Sequence, residues 1–460
     1  MSSDNDYDVI VFGGGAPGEH CAAAVAVGKR VAVVERELVG GECSYWACIP
    51  SKSLLRPGEA VHGALDVGAS AQVNVKAALD WRDYMVSNWS DKGQQQWLAG
   101  HGIDLLRGNG RLAGPGAIEV GGTRYTAEHI IIATGADPVT PPLPGLKDLD
   151  GVWGTREATS MKAVPRRLLI LGGGPAGTEI AQIVRRLGGE AVIVEGADRL
   201  VPREAPPLGQ ALTEALRKDG VEVRTGRHAS AARRDGDEYV LEFEGGDQVR
   251  GDRLLVSTGR RPRVEGIGLE TVGITPGPHG GIPVDEYHRA GEGLWAIGDV
   301  TGIWPLTHVG EYQGDVVASN ILGQPRQVNY DAVPRVTYTD PQAAAVGALD
   351  AQYSGTAQLS EVSKTATYTH AYADSGGFIT LLSDGQRLTG AYALGPEAGE
   401  WLQQATLAIR ARVPVDVLID TIQPFPSFSS IYNTALMELK MAIMAMPRPR
   451  HPMEPQMAAL

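Results

Sequence analysis

Two cysteines five residues apart, Cys43 and Cys48, stand in the run GGECSYWACIPSK, with Lys52 four residues further on. Thiols at that spacing can trade two electrons by making and breaking a disulfide. In a regular helix their Cα atoms would lie roughly 8–9 Å apart, whereas a disulfide tolerates about 4.4–6.8 Å. A bridge here therefore needs a distorted helix start, and a strained bond is easier to reduce. A metal site and two unrelated buried thiols are the competing uses. No further cysteine or histidine cluster completes a tetrahedral set, so no metal is expected. The third cysteine, Cys21, falls in an apolar helical stretch and is expected in a core.

Glycines carry a second kind of chemistry. GGGAPG places Gly13, Gly15 and Gly18 after the apolar run YDVIVF, and GGGPAG places Gly172, Gly174 and Gly177 after LLIL. The first glycine of such a triplet allows a tight turn, the second a close backbone approach to a pyrophosphate, and the third close packing of helix on strand. The helix that follows points its unpaired N–H groups at the phosphates. Glu35 and Glu195 end the next apolar runs, where a carboxylate accepts ribose hydroxyls. At Glu195 it would also repel a 2′-phosphate, which favours NADH over NADPH. Arg199, four residues later, would soften that preference.

These residues need a frame. At 460 residues the chain is too long for one core. Tyr7 to Glu35 and Leu168 to Glu195 each read as strand, glycine turn, helix and strand, which predicts parallel, doubly wound sheets. Between them lie a helical stretch, roughly Lys52 to Gly102, and a β-rich return ending in HIIIATGADP. The second repeat returns through RLLVSTGRRP, and LWAIGDVTG follows. From about Pro334 strands and helices continue without glycine fingerprints. The expected fold is α/β: two Rossmann-like dinucleotide-binding domains plus an α+β C-terminal domain. The expected boundaries are 1–150 and a central return, 284–333, for the first domain; 151–283 for the second; 334–446 for the third; and a mobile tail, 447–460.

The net charge of −13 argues against nucleic acid as the main partner. The first residues lack a basic region leading into an apolar core, and no apolar run approaches the ~18 residues that span a bilayer. A cytoplasmic protein is expected, since three cysteines do not make a disulfide-stapled secreted scaffold.

In order and spacing, the fingerprint with Glu35, the run GGECSYWACIPSK, ATGA at Ala133 to Ala136, the second fingerprint, TGRRP at Thr258 to Pro262 and AIGDVTG at Ala296 to Gly302 resemble the pyridine nucleotide–disulfide oxidoreductases. That family includes dihydrolipoamide dehydrogenase, glutathione reductase and mercuric reductase. The resemblance implies FAD on the first domain, NAD(H) on the second, and a homodimer whose C-terminal domain completes the partner's active site around a small substrate. It implies that Cys43 and Cys48 form the redox-active disulfide, Cys48 next to the flavin and Cys43 meeting substrate. Lys52 would sit near flavin N5, paired with Glu179. Asp299 would bond the ribityl chain, and Thr307 and His308 would pass near the pyrimidine end. Gly41, Gly110, Thr134, Gly135 and Gly259 join the fingerprint glycines among the implied cofactor-binding positions.

The pattern breaks near the C-terminus. The family carries a His-Pro segment followed by Glu, and that histidine is the acid–base for the interchange thiol. Here the stretch is QPFPSFSSIY, with Phe425 and Ser430 at those places. A phenyl ring carries no proton. Water, His308 and Glu311 are left as proton sources. A relative with Phe at this place, the 2-ketopropyl coenzyme M oxidoreductase/carboxylase, is similar in this respect and acts on a non-disulfide substrate. Pro175 stands where many relatives have an aromatic gate, and the tail has no cysteine pair of the mercuric reductase kind. Tyr45 and Trp46 either stack on a planar substrate or pack their helix. Three functions stay open: a reductase of small disulfides or other electrophiles, a specialised dithiol enzyme, and a flavin-bound redox sensor with little turnover.

Overall fold

The computed structural model describes residues 5–362 and 376–445; the expected tail, 447–460, lies outside them. The fold is α/β, and by its internal packing the chain forms two compact units. One holds Met1–Pro50, Asp80–Val139 and Gly259–Asn329; the other holds Ser51–Leu79, Thr140–Thr258 and Tyr330–Leu460.

The first unit is built on an eight-stranded sheet. Strands Leu294–Ala296, Thr123–Ile132, Asp6–Phe12, Val31–Glu35 and Ile103–Arg107 run parallel in that order. Successive side chains of a strand face opposite ways. Val9 and Val11 enter one core with Val31 and Val33, while Ile10 and Phe12 enter another with Ala32 and Val34. Both faces are therefore covered, which is why DVIVF and VAVV are apolar without alternation. Helices Ala16–Val25 and Thr307–Ile321 pack closely on one face: a Cβ at Gly310 would lie 2.5 Å from Pro17, and one at Gly314 would lie 3.0 Å from Cys21. Cys21 is fully buried there, its thiol donating to the Gly314 carbonyl.

The second unit holds the other nucleotide-type sheet, with parallel strands Glu222–Arg224, Glu190–Val194, Arg167–Leu171 and Arg253–Val256 in order. Helix Pro175–Arg186 starts on a proline, which suits a first helical position because its missing N–H needs no partner there. It buries Ile180, Ile183 and Val184 against that sheet, each worth about 1.5–3 kcal/mol. The C-terminal part is a five-stranded antiparallel sheet, Pro334–Thr337, Gln342–Gly347, Leu388–Gly395, Phe378–Ser383 and Tyr353–Gln358 in order, backed by helices including Ile431–Ala445.

Helix Cys48–Asp66 contains Pro57 and Gly58. A Cβ at Gly58 would stand 2.8 Å from the Arg186 side chain, so the glycine lets this helix pass close to Pro175–Arg186. That approach positions Lys52 and His62.

Candidate active site

The two glycine turns share one geometry. Gly13 and Gly172 have positive φ, +118° and +110°, which glycine adopts without strain. A Cβ on Gly18 would strike the Gly13 carbonyl oxygen, and one on Gly177 the Gly172 carbonyl oxygen. Beside Gly15 and Gly174, by contrast, nothing lies within 4 Å of an added Cβ. The turns thus close tightly at their first and third glycines and stay open at the second, directly ahead of helices beginning at Ala16 and Pro175. That is a cradle a pyrophosphate fits.

Both acids bind their own turns. Glu35 accepts from Gly14 N at 2.9 Å and Glu37 N at 2.7 Å; Glu195 accepts from Gly173 N at 2.7 Å and Ala197 N at 2.8 Å. Each carboxylate oxygen has a second lone pair for a ribose hydroxyl. Arg199 is engaged locally, with Asp198 at 2.7 Å and the Pro202 carbonyl at 3.0 Å.

The first turn gathers several expected positions. A Cβ on Gly41, φ +60°, would come within 2.8 Å of the Gly15 Cα. Thr134 N lies 3.1 Å from a Cβ on Gly13, and the Thr134 hydroxyl donates to the Arg263 carbonyl. Gly135 and Gly259 have positive φ and open space around them. Gly110 is glycine for packing: its would-be Cβ meets Phe12 and Val34 at 2.9 Å. Asp299 lies in the short 3₁₀ turn Gly298–Thr301; burial pushes its carboxyl up, opposed by Arg260 at 3.9 Å. Asp91 escaped the sequence reading. It receives Val39 N at 3.0 Å, Gln95 and Arg107, and so steadies the chain just before Gly40. A lone Asp in a polar stretch gives no signal for this.

The cysteine segment is two helices, Gly41–Tyr45 and Cys48–Asp66, in place of one distorted helix start. At Trp46 the backbone leaves helical geometry, with φ −136° and ψ −2°. Cys43 and Cys48 are thiols and hydrogen-bond each other. Cys48 Sγ lies 3.5 Å from Thr307 Oγ1, which also bonds Cys43. The bond to Cys48 and then burial push the Cys43 thiol above the ordinary thiol value, so the pair resists losing its proton. Tyr45 is 1% exposed and packs inward, which removes it as a substrate platform; Trp46 is half-buried against it, centroids 5.7 Å apart. His308 is exposed.

In the second unit, Lys52 Nζ lies 2.7 Å from Glu179 Oε2. Glu179 is buried, and its other oxygen accepts Tyr338 N at 2.9 Å while the Tyr338 ring sits 4.7 Å from Nζ. A polar seam continues from there. Asp340 Oδ2 meets His62 Nδ1 and Arg186 NH1, each at 2.7 Å, and Arg186 Nε reaches Asp219 at 2.8 Å. Burial pushes Asp340 up, but His62 and Arg186 outweigh it and hold its carboxyl below the usual range. Tyr338, Asp340, His62 and Arg186 were not singled out from sequence, because their partners lie far away along the chain. Phe425 is 72% exposed; Ser430 is buried, its hydroxyl donating to the Ser427 carbonyl. A cavity of about 500 Å³ between helix Pro206–Lys218 and the antiparallel sheet is lined by none of the expected site residues. Among the described residues no group of three or more metal-ligating side chains converges.

Residues 7–314 match the model of the family described as pyridine nucleotide-disulphide oxidoreductase, and residues 333–436 match that family's dimerisation domain. The chain belongs to the pyridine nucleotide-disulphide oxidoreductases. It is 37% identical to a dihydrolipoyl dehydrogenase of Thermus scotoductus over 92% of this chain and 95% of that one. It is 35% identical to a mercuric reductase of Streptomyces lividans over 95% of this chain and 96% of that one. Among solved structures it is similar to the Cu(II) complex of the HOCl-induced flavoprotein disulfide reductase RclA of Escherichia coli: TM-score 0.83, 25% identity, 93% of this chain and 99% of that one covered. As a pyridine nucleotide-disulphide oxidoreductase the chain is an FAD-dependent enzyme that works with a pyridine nucleotide. Its dimerisation domain supports a homodimer. No described helix is long and apolar enough to cross a membrane.

Proposed function

We propose that this enzyme uses NADH to open a Cys43–Cys48 disulfide and passes the two electrons to a small substrate. The observation that carries the reading is the pair of free thiols, Cys43 and Cys48, at the junction of two helices, with Cys48 Sγ 3.5 Å from Thr307 Oγ1. FAD, held by the first glycine turn, Glu35 and Asp299, would supply the two-electron relay between nicotinamide and sulfur. Cys48 is the flavin-side sulfur, with Thr307 at its edge, and Cys43 meets substrate. Lys52, fixed by Glu179, contributes positive charge that favours a reduced, anionic partner. Glu195 opposes a 2′-phosphate on the second turn, which makes NADH the preferred donor.

We assign 1–150 with 284–333 to the flavin domain, 151–283 to the NAD(H) domain and 334–446 to the interface domain, in a cytoplasmic homodimer whose Pro424–Ser430 segment lies at the partner's cysteines. A second reading, a specialised dithiol enzyme with a non-disulfide substrate, draws on Phe425. This segment offers an exposed phenyl ring and a serine already bonded to Ser427, and neither takes up or releases a proton near neutral pH.

Thiol counting tests the first reading. Anaerobic NADH should expose two more alkylatable thiols per chain in the air-oxidised enzyme, assigned by peptide mass to Cys43 and Cys48. No new thiols, or full turnover in Cys48→Ser, would remove it.

A further inference from the structure

We propose that Tyr338 is a positioning residue for Lys52: the face of its ring holds the ammonium in place, and its backbone N–H holds the carboxylate that pairs with it. The inference rests on the reading above that Lys52 favours the reduced flavin, and it names the residue that keeps that charge where it acts.

Tyr338 touches both halves of the ion pair. Its N–H donates to Glu179 Oε1 at 2.9 Å. Its ring centroid lies 4.7 Å from Lys52 Nζ, inside the ~6 Å reach of a cation–π attraction. Lys52 Nζ meets Glu179 Oε2 at 2.7 Å, so the carboxylate is engaged by the ammonium on one oxygen and by the Tyr338 amide on the other. A lysine is a point charge on a flexible four-carbon stem, and one salt bridge does not fix its direction. A second contact from a flat ring does. Ser51 Oγ, at 3.4 Å from Nζ, adds a long contact from the neighbouring residue. The mount of the ring does not depend on Lys52. Tyr338 to Asp340 is tied to helix Pro175–Arg186 at Glu179, Gln182 and Arg186, which share one helix face. Asp340 N donates to Gln182 Oε1 at 2.8 Å, and Gln182 Nε2 donates back to the Asp340 carbonyl at 2.9 Å. Arg186 NH1 reaches Asp340 Oδ2 at 2.7 Å, and Thr339 between them is buried.

Tyr338 and the Lys52 side chain are 43% and 36% exposed. That puts the attraction at the exposed end of the cation–π range, about two- to fivefold in an equilibrium constant. Without the ring the ammonium spreads over more rotamers and supports an anionic partner less well. Every residue except proline keeps the amide that bonds Glu179, so side-chain variants at 338 isolate the ring.

The experiment compares Tyr338→Leu, Tyr338→Phe, Lys52→Met and the Tyr338→Leu, Lys52→Met pair in the full-length, FAD-loaded protein. All carry Cys43→Ser and Cys48→Ser, so that the potential read is that of the flavin alone. The first readout is the two-electron potential, by equilibration with a reference dye. The second needs no turnover: the rate at which trace acetic anhydride labels Lys52, read by peptide mass. Tyr338→Leu should lower the potential by about 10–20 mV, the equivalent of a two- to fivefold change, and speed Lys52 labelling by about the same factor. Tyr338→Phe keeps the ring and should change neither. On top of Lys52→Met, Tyr338→Leu should move the potential no further. An unchanged labelling rate in Tyr338→Leu, a Tyr338→Phe effect as large as that of Tyr338→Leu, or an equal potential shift with and without Lys52 overturns the inference while the Lys52 reading stands. A potential that Lys52→Met leaves unmoved overturns both.

Discussion

In each nucleotide-type sheet a strand turns at a glycine of positive φ, a glutamate two strands' length later ties the turn down through two backbone N–H groups, and a helix begins at the open glycine. What the two helices then meet differs. Ala16–Val25 lies along Thr307–Ile321 through an apolar, glycine-thinned seam of Pro17, Cys21, Gly310 and Gly314. Pro175–Arg186 lies along Cys48–Asp66 through charges: Glu179 to Lys52, and Arg186 through Asp340 to His62. The same fingerprint launches one helix that holds its neighbour by shape and one that holds it by charge. The fingerprint therefore identifies a phosphate cradle but not the work of the helix behind it.

The sharpest separation of the two turns is by their third glycines. Gly18→Ala and Gly177→Ala each drive a methyl into a carbonyl oxygen of the first glycine, a cost of about 1–3 kcal/mol, or roughly 5- to 150-fold in affinity. Gly18→Ala should lose flavin, read as the flavin-to-protein absorbance ratio. Gly177→Ala should stay yellow and need correspondingly more NADH for half-reduction. Crossed results would break the comparison.

The seams differ next. Arg186→Ala removes the guanidinium shared by the half-buried carboxylates of Asp340 and Asp219, leaving them His62 and Gln182, and should destabilise by about 2 kcal/mol. Cys21→Ala removes only a small apolar group and should cost about 1 kcal/mol. Urea unfolding of both variants measures this, and equal losses would show that charge is not what holds the second seam.

Glu195→Gln keeps an acceptor for only one of the Gly173 and Ala197 N–H groups and drops the charge. The ratio of kcat/KM for NADH over NADPH should fall about tenfold, the equivalent of 1.4 kcal/mol. The same change at Glu35 should leave that ratio untouched.

The smallest effect is a pH dependence. The Asp340 carboxylate raises His62, so the pair's contribution is complete below the unfolded histidine value, ~6.5, and is lost as pH rises through the higher folded value. His62 is 43% exposed, and solvent screens the pair. The Tm difference between wild type and His62→Ala should shrink by about 1 °C from pH 6 to pH 8, and a difference that grows would reverse the assignment.

Much of this was legible from sequence because it is local. The glycine turns, the acids behind them and the apolar strands all follow from short-range rules, and the structure carries them at Gly13, Gly172, Glu35 and Glu195. The cysteine segment was legible only in part. Spacing demanded a departure from regular helix, but it did not show that Trp46 and Ala47 would divide the segment into two helices. Gly110 was expected as a cofactor contact by position, and the fold adds Phe12 and Val34 behind it, which leave no room for a Cβ. Tyr338, Asp340 and Arg186 were illegible because each acquires its meaning from partners that only the fold brings near.

The interruption at Trp46 has a mechanical consequence. Sulfurs that alternate between touching and bonding must change their separation in every cycle. With Cys43 in a five-residue helix and Cys48 at the start of a 19-residue one, the cycle proposed above would place that travel in the torsions of residues 46 and 47. The break at residues 46 and 47 would thus act as a clutch between the two helices.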